Sequence, residues 1–277
     1  MLAALLALAA SLSWGSSNFL AGIESRRRSV WHVTALSQIA ATLVAGVAVL
    51  VTGQAPPRFW DALVLLLAGV ATAIGIVAFY RALAIGTMSV VAPIVAAEVA
   101  VPVAAGLFRG ERPGPQAYVG IALTVAGVIL ISWARRRNKD HATRSAVLLA
   151  VLAALCWGLL LAAFGISGAE SPYWAVFDAR IASLVVILLY MAATRRRLPL
   201  RGQNLPALFL VGLLLTAANI LFTVATGFGY LSIVSILGSL SPAVVTVYAQ
   251  VLLGERLTLR QWAGFGTVFA GVILLSA

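Results

Sequence analysis

Residues 145–166, SAVLLAVLAALCWGLLLAAFGI, run for 22 positions without a charged side chain. A helix crossing a bilayer needs about 20 predominantly apolar residues. The chain has ten stretches of that kind, at 2–22, 32–52, 60–83, 89–108, 115–134, 145–166, 172–193, 205–226, 232–252 and 258–276. The separators are short and carry most of the charge or turn residues, for example ESRRRS, GQAPPR, RRRNKDHATR and RRRLPLRGQN. Only helices and closed barrels satisfy their backbone in lipid, and the ten-residue alternation of barrel strands is absent. The pattern therefore predicts an all-α integral membrane protein of ten transmembrane helices. The first stretch lacks a basic leader and runs on to Ile23, so it reads as a span rather than a signal peptide. Composition agrees, with 62% hydrophobic and 10% charged residues, against about 25% charged in soluble domains.

Charge placement predicts orientation. Alternating the separators between two sides puts fifteen basic residues on one side, including the runs Arg26–Arg28, Arg135–Arg137 and Arg195–Arg197. The other side receives three, Arg58, Arg109 and Arg112, and Arg180 falls inside the seventh span. The positive-inside bias makes the rich side cytoplasmic and both termini external. Arginine triplets at helix ends are membrane anchors on this reading, not a nucleic-acid surface.

The sequence is also written twice. GERPGPQAYVGIALTVAGVILIS at Gly110 returns as GERLTLRQWAGFGTVFAGVILLS at Gly254, 144 positions on, with ten identities. Earlier, SWG at Ser13 parallels CWG at Cys156, and FYRALAIGTMSVV at Phe79 parallels FTVATGFGYLSIV at Phe222, both at offset 143. Each half is thus a five-helix unit, 1–134 and 145–277, joined by the basic loop 135–144. Five is odd, so the second unit enters the membrane inverted, the arrangement from which alternating access follows. Gly120 and Gly127 in span five, with Gly264 and Gly271 in span ten, predict close helix packing in lipid.

These motifs, with LSWGSSNFLAG at the start, resemble the drug/metabolite transporter superfamily, specifically its ten-helix EamA-type members, a group that includes YddG-type amino-acid exporters. The resemblance covers essentially the whole chain, and the paired GER segments are its most specific marks. It implies a central cavity formed by spans 1, 3, 4, 6, 8 and 9, with spans 5 and 10 peripheral. It further implies export of amino acids or other small metabolites from a bacterial inner (cytoplasmic) membrane. Many members place both termini in the cytoplasm, opposite to the charge pattern here.

Glu98 leads the candidate substrate-binding residues. It lies mid-span between Pro93 and Pro102, and an intramembrane acid is a functional hypothesis by default. At offset 144 its counterpart is Pro242, so the acid is not duplicated. Pro93, Pro102, Pro242 and Arg81 are candidates for helix kinks or gating. Span one carries Ser11, Gly15, Asn18 and Gly22 on one face, with Trp14 at its edge and Ser17 beside it. Span eight carries Thr216, Asn219, Thr223 and Thr226, and span nine Ser232, Ser235, Ser239 and Thr246. Trp14 and Trp157, deep and at matching positions, and Tyr80 and Tyr248 are further lining candidates. Trp31, Trp60, Trp133, Trp174 and Trp262 fit an interfacial belt. Asp178 and Arg180 are assigned a structural role, snorkelling toward a helix end.

A transporter explains the inverted repeat, the mid-span acid and the polar faces together. An enzyme would need a nucleophile–base pair or metal ligands, and His32, His141 and Cys156 offer neither. No phosphate-binding loop for ATP is present. No cofactor is expected. The expected partners are the lipid bilayer and a small-molecule substrate, with the chain acting as a monomer. Amino acids fit best, since deep positive charge is scarce, with a multidrug or nucleotide-sugar carrier as the alternative. Proton antiport and facilitated diffusion are both open.

Overall fold

A computed structural model describes residues 1–85, 94–95, 97–132, 144–196, 202–253 and 259–276. Helices α1 (Leu2–Arg27), α2 (Val30–Thr52) and α3 (Phe59–Ile85) open the first half. A 3-10 turn, Ala97–Val99, leads into α4 (Ala100–Phe108), and α5 (Pro115–Ser132) follows. The second half has α6 (Arg144–Ser167), α7 (Pro172–Ala193), α8 (Leu205–Thr226), α9 (Leu231–Gly238), α10 (Ser241–Leu253) and α11 (Leu259–Ser276). Six of these, α1–α3 and α6–α8, are long and apolar enough to cross a membrane. With α5, α11 and two spans interrupted midway they complete the ten helical spans predicted from sequence. Helix starts use proline where a missing N–H costs nothing, at Pro115 and Pro172. Gly53 ends α2 with φ 59°, a left-handed conformation that suits glycine.

Packing runs mainly between the halves, and it follows the duplication. Helix α1 lies on α8, and its equivalent α6 lies on α3. Likewise α2 lies on α8, and α7 on α3. The equivalent helices α2 and α7 pack on each other antiparallel, since Gly46 meets Phe177 while Trp31 stacks on Tyr190. The same holds for α5 and α11. Gly127 sits against the carbonyl of Gly264 and Gly271 against that of Gly120, so the two glycine pairs exchange partners. Antiparallel equivalents are the direct signature of inversion. The strongest contacts close a circuit of eight spans: α1, α8, α2, α7, α3, α6, the α4 span and the α9–α10 span. The α5–α11 pair stands outside it, at the periphery, as the resemblance implied.

The two ends of this bundle differ. At the end bearing the N-terminus, one continuous core joins residues of α1, α2, α3 and α5–α9, centred on Leu65, Phe164, Val176, Phe222 and Ile236. At the opposite end the core of the described residues divides into smaller clusters: Ala78–Ala153, Ala35–Met191 and Val33–Leu208. Residues equivalent by the repeat show the same contrast. Leu161 is buried in the N-terminal core, whereas Asn18 is exposed. Gly165 is pressed by the Leu231 side chain, whereas Gly22 has open space where a Cβ would stand. The N-terminal face is therefore sealed, and toward the other face α1 leaves open space at Asn18 and Gly22.

Candidate functional site

Spans four and nine break at the same point of the repeat. In span four the 3-10 turn Ala97–Val99 precedes α4; in span nine α9 ends at Gly238 and α10 begins at Ser241. Each break rests on a glycine of the neighbouring half. A Cβ on Gly158 would strike the Glu98 carbonyl and Val101, and one on Gly15 would strike the Ser241 carbonyl and Val244. Glycine is required at both places because backbone meets backbone. These contacts fix the local register at offset 143, which makes Ser241, not Pro242, the counterpart of Glu98. The extra residue enters between here and the GER loop. Pro102 and Pro242 stand in the first turns of α4 and α10, where proline removes no helical bond. They start new helices instead of kinking continuous ones. Pro93 lies outside the described residues.

Glu98 is half-buried on the broken turn, and among the described residues nothing pairs with its carboxylate. Its carbonyl lies on Gly158, next in chain to Trp157. Trp157 forms a tilted pair with Phe79 at 5.3 Å between centroids, and Trp14 pairs with Phe222 at 5.5 Å. Offset 143 relates both members of these pairs, so the bundle holds two mirrored aromatic pairs, each crossing between halves. The mirror stops at the polar groups. Trp14 Nε1 donates to Asn219 Oδ1 at 2.8 Å, and the position equivalent to Asn219 is Ile76. Tyr248 stacks near Phe19 at 5.4 Å and meets Ser16 Oγ at 2.9 Å. Ser16 donates to the Leu12 carbonyl, so the tyrosine hydroxyl is the donor to Ser16.

Several candidates are drawn elsewhere. Ser17 Oγ donates to the Val211 carbonyl at 3.0 Å, tying α1 to α8; its neighbour Ser16 is the serine that meets Tyr248. Thr216 similarly ties α8 to α2 through the Ala41 carbonyl. Thr223, Thr226 and Ser239 bond to carbonyls of their own helices. Asn18 is exposed on the open stretch of α1, and Arg81 is exposed near the end of α3. The Tyr80 side chain, like those of Pro242 and Thr246, lies outside the described ones. Phe79 and Phe222 were missed, although each opens one of the paired repeat segments and is identical in both.

Arg180 and Asp178 correct the expectation of snorkelling. Both are buried, and Arg180 Nη1 donates to Gln38 Oε1 on α2 at 3.0 Å. Arg28 does act at the opposite face, pairing with Glu24 and donating to the Gly202 carbonyl, and Arg196 lies over the Trp31 ring.

The GER motif has a mechanical reason. Gly110 has φ 87°, a left-handed turn that glycine permits. The turn directs Glu111 to the N-terminus of α9. Its carboxylate accepts from the Leu231 N–H at 2.6 Å, the Ser232 N–H at 3.0 Å and the Ser232 hydroxyl at 2.6 Å. Anions are favoured at helix N-termini, where N–H groups lack partners. A Cβ on Gly106 would occupy the space of this carboxylate. The first half therefore caps a broken helix of the second at the sealed face. Gly254 and Glu255, the repeated pair, lie outside the described residues.

Comparison with known proteins agrees with this architecture. A solved crystal structure is similar over 98% of this chain and 94% of its own, with a TM-score of 0.81 at 18% identity. That likeness concerns the fold. Among curated proteins no match is found. The model of the EamA-like transporter family matches twice, over residues 1–133 and 144–277. The chain belongs to the EamA-like transporter family, a group of membrane transporters.

Proposed function

We propose that this chain exports amino acids or related small metabolites by alternating access, its two inverted five-span halves exchanging roles about the breaks in spans four and nine. The carrying observation is Glu98, a carboxylate with no partner among the described residues, on a helix break at membrane depth, its carbonyl seated on Gly158 beside the Trp157–Phe79 pair. Interrupted helices at corresponding positions of inverted repeats are where such carriers bind cargo. A carboxylate held there is costly, and a substrate ammonium or a coupling proton offsets the cost. The indole faces accept an apolar side chain or a cation. With the arginine-rich face in the cytoplasm of a bacterial inner membrane, the sealed N-terminal face is external and substrate loads from inside. Two halves complete the unit, so the chain works as a monomer, and no cofactor enters.

Counterflow in proteoliposomes preloaded with amino acids tests this directly. Wild type should exchange labelled amino acids and Glu98→Gln should lose most of that exchange. Equal exchange in both would demote Glu98 to a structural acid. A second reading, export of amphiphilic organic amines, is favoured by an acid without a partner among the described residues on the turn that rests beside Trp157. Exchange of such amines but of no amino acid by folded wild type would establish it.

A further inference from the structure

A second charged group lies across the bundle from Glu98. Arg180 on α7 is 5% exposed and its Nη1 donates to Gln38, itself 3% exposed. Its Nε has no partner among the described residues, nor has the Ser183 hydroxyl one turn along the same helix. Asp178 does not pair with it, and Asp178 Oδ2 is itself unpartnered. The ion pair formed among the described residues joins Arg28 and Glu24 instead.

Helix pairings place this group within about two helical turns of Glu98 in depth. Along α3, Gly69 meets Ala179, Ala73 clusters with Ile187, and Gly75 meets Trp157, whose neighbour Gly158 carries Glu98. It also faces inward. On α7 the exposed large hydrophobics are Ile181, Val185, Leu188 and Leu189, so Arg180 and Ser183 lie away from the lipid face. On α2 they are Leu43, Val47, Leu50 and Val51, and Gln38 lies on the opposite side of that helix. Arg180 stands where α2 meets α7, and Glu98 where its 3-10 turn rests on α6, across the eight-span circuit.

Arginine stays charged in proteins and offers five donors in a planar fork. One neutral amide uses one of them. Burying an unneutralised charge costs several kcal/mol, and unfilled donors beside a second unfilled hydroxyl have the chemistry of an anion receptor. We propose that Arg180, Gln38 and Ser183 form a binding site for a small monovalent anion, namely the substrate's own carboxylate or a free anion such as chloride or acetate. In the first form the inference deepens the transporter reading and rests on it: Arg180 takes the substrate's carboxylate.

The test is a melting-temperature titration of purified protein at constant ionic strength, with leucine, phenylalanine, their methyl esters, chloride and acetate as probes. It is run on wild type, Arg180→Gln, Arg180→Lys and Ser183→Ala, beside counterflow of the same amino acids. Amino acids that stabilise while their esters do not assign the site to the substrate carboxylate. Stabilisation by chloride or acetate assigns it to a free anion. In either case Arg180→Gln should weaken the effective probe by about tenfold or more, the loss expected for a hydrogen bond to a charged group, and Arg180→Lys should keep part of the response. If Arg180→Gln fails to fold, the wild-type titration and a weakened response in Ser183→Ala decide. No response of wild type to any amino acid or anion, or an equal response in folded Arg180→Gln, overturns the site. Amino-acid counterflow that persists unchanged without Arg180 sinks the anion site and keeps the transporter. An Arg180-dependent anion response without amino-acid exchange keeps the site and sinks the amino-acid reading.

Discussion

Single residues in this protein are decided by which neighbour the other half brings. Phe222 and Phe79 hold equivalent positions and equivalent tryptophan partners, yet Phe222 is fully buried in the sealed core and Phe79 is half-buried. Phe222→Ala should therefore cost about 3–5 kcal/mol of stability, and Phe79→Ala markedly less, as read from thermal unfolding in detergent. Asn219→Ala leaves the Trp14 N–H without its acceptor and should cost ~1–3 kcal/mol in the same assay. Trp14, Asn219 and Trp157 stand out in the sequence by matching positions or polar character in apolar spans, and the structure joins Trp14 to Asn219 and packs Trp157 on Phe79. The two serines of span one are separated only by the fold. Ser16 and Ser17 differ by about 100° around α1, and nothing in the local sequence says that α8 covers one and Tyr248 reaches the other.

At the scale of elements, the duplicated segment is read best as a pair of devices. Its glycines let α5 and α11 cross backbone to backbone, so Gly127→Leu should force the helices apart and cost about 1–3 kcal/mol, seen as a lower melting temperature. Its glutamate caps a helix of the other half. Glu111→Ala removes three bonds at the α9 N-terminus and should cost ~1–3 kcal/mol, whereas Glu111→Gln, still an acceptor, should lose less. The breaks in spans four and nine are the elements least legible in advance. Prolines mark them, but a proline in an apolar run predicts a kink and a helix start equally. The choice follows from Gly158 and Gly15, which admit the carbonyls of Glu98 and Ser241 at those points.

For the whole molecule, the core is continuous at the N-terminal face, which on the alternating-access proposal makes the present conformation the one closed there. In a Cys156→Ala background, a cysteine at Asn18 should react readily with a soluble thiol reagent, and one at the equivalent Leu161 should be protected. Equal reactivity would contradict the sealed core around Phe164 and Phe222. Binding that favours the opposite conformation should reverse the order, since a ligand shifts such an equilibrium by its differential affinity alone.

Ten spans, two halves and their inversion are properties of the sequence by itself. Lipid leaves the backbone no option but helix in runs this long, and an odd number of spans per repeat leaves no option but inversion. Which side chains meet was decided by tertiary structure alone. Glu98 and Ser241 became counterparts through contacts on Gly158 and Gly15, not through the offset of the GER loops. Arg180, two turns from a helix end by sequence, lies buried against Gln38 because α2 packs across α7 at that point and closes its route to the interface. The physical reason is general to lipid-embedded bundles. Apolarity gives every span the same drive into the membrane and no information about its neighbour, so partner choice rests on close packing at glycines and on polar groups that find one another only after the helices assemble.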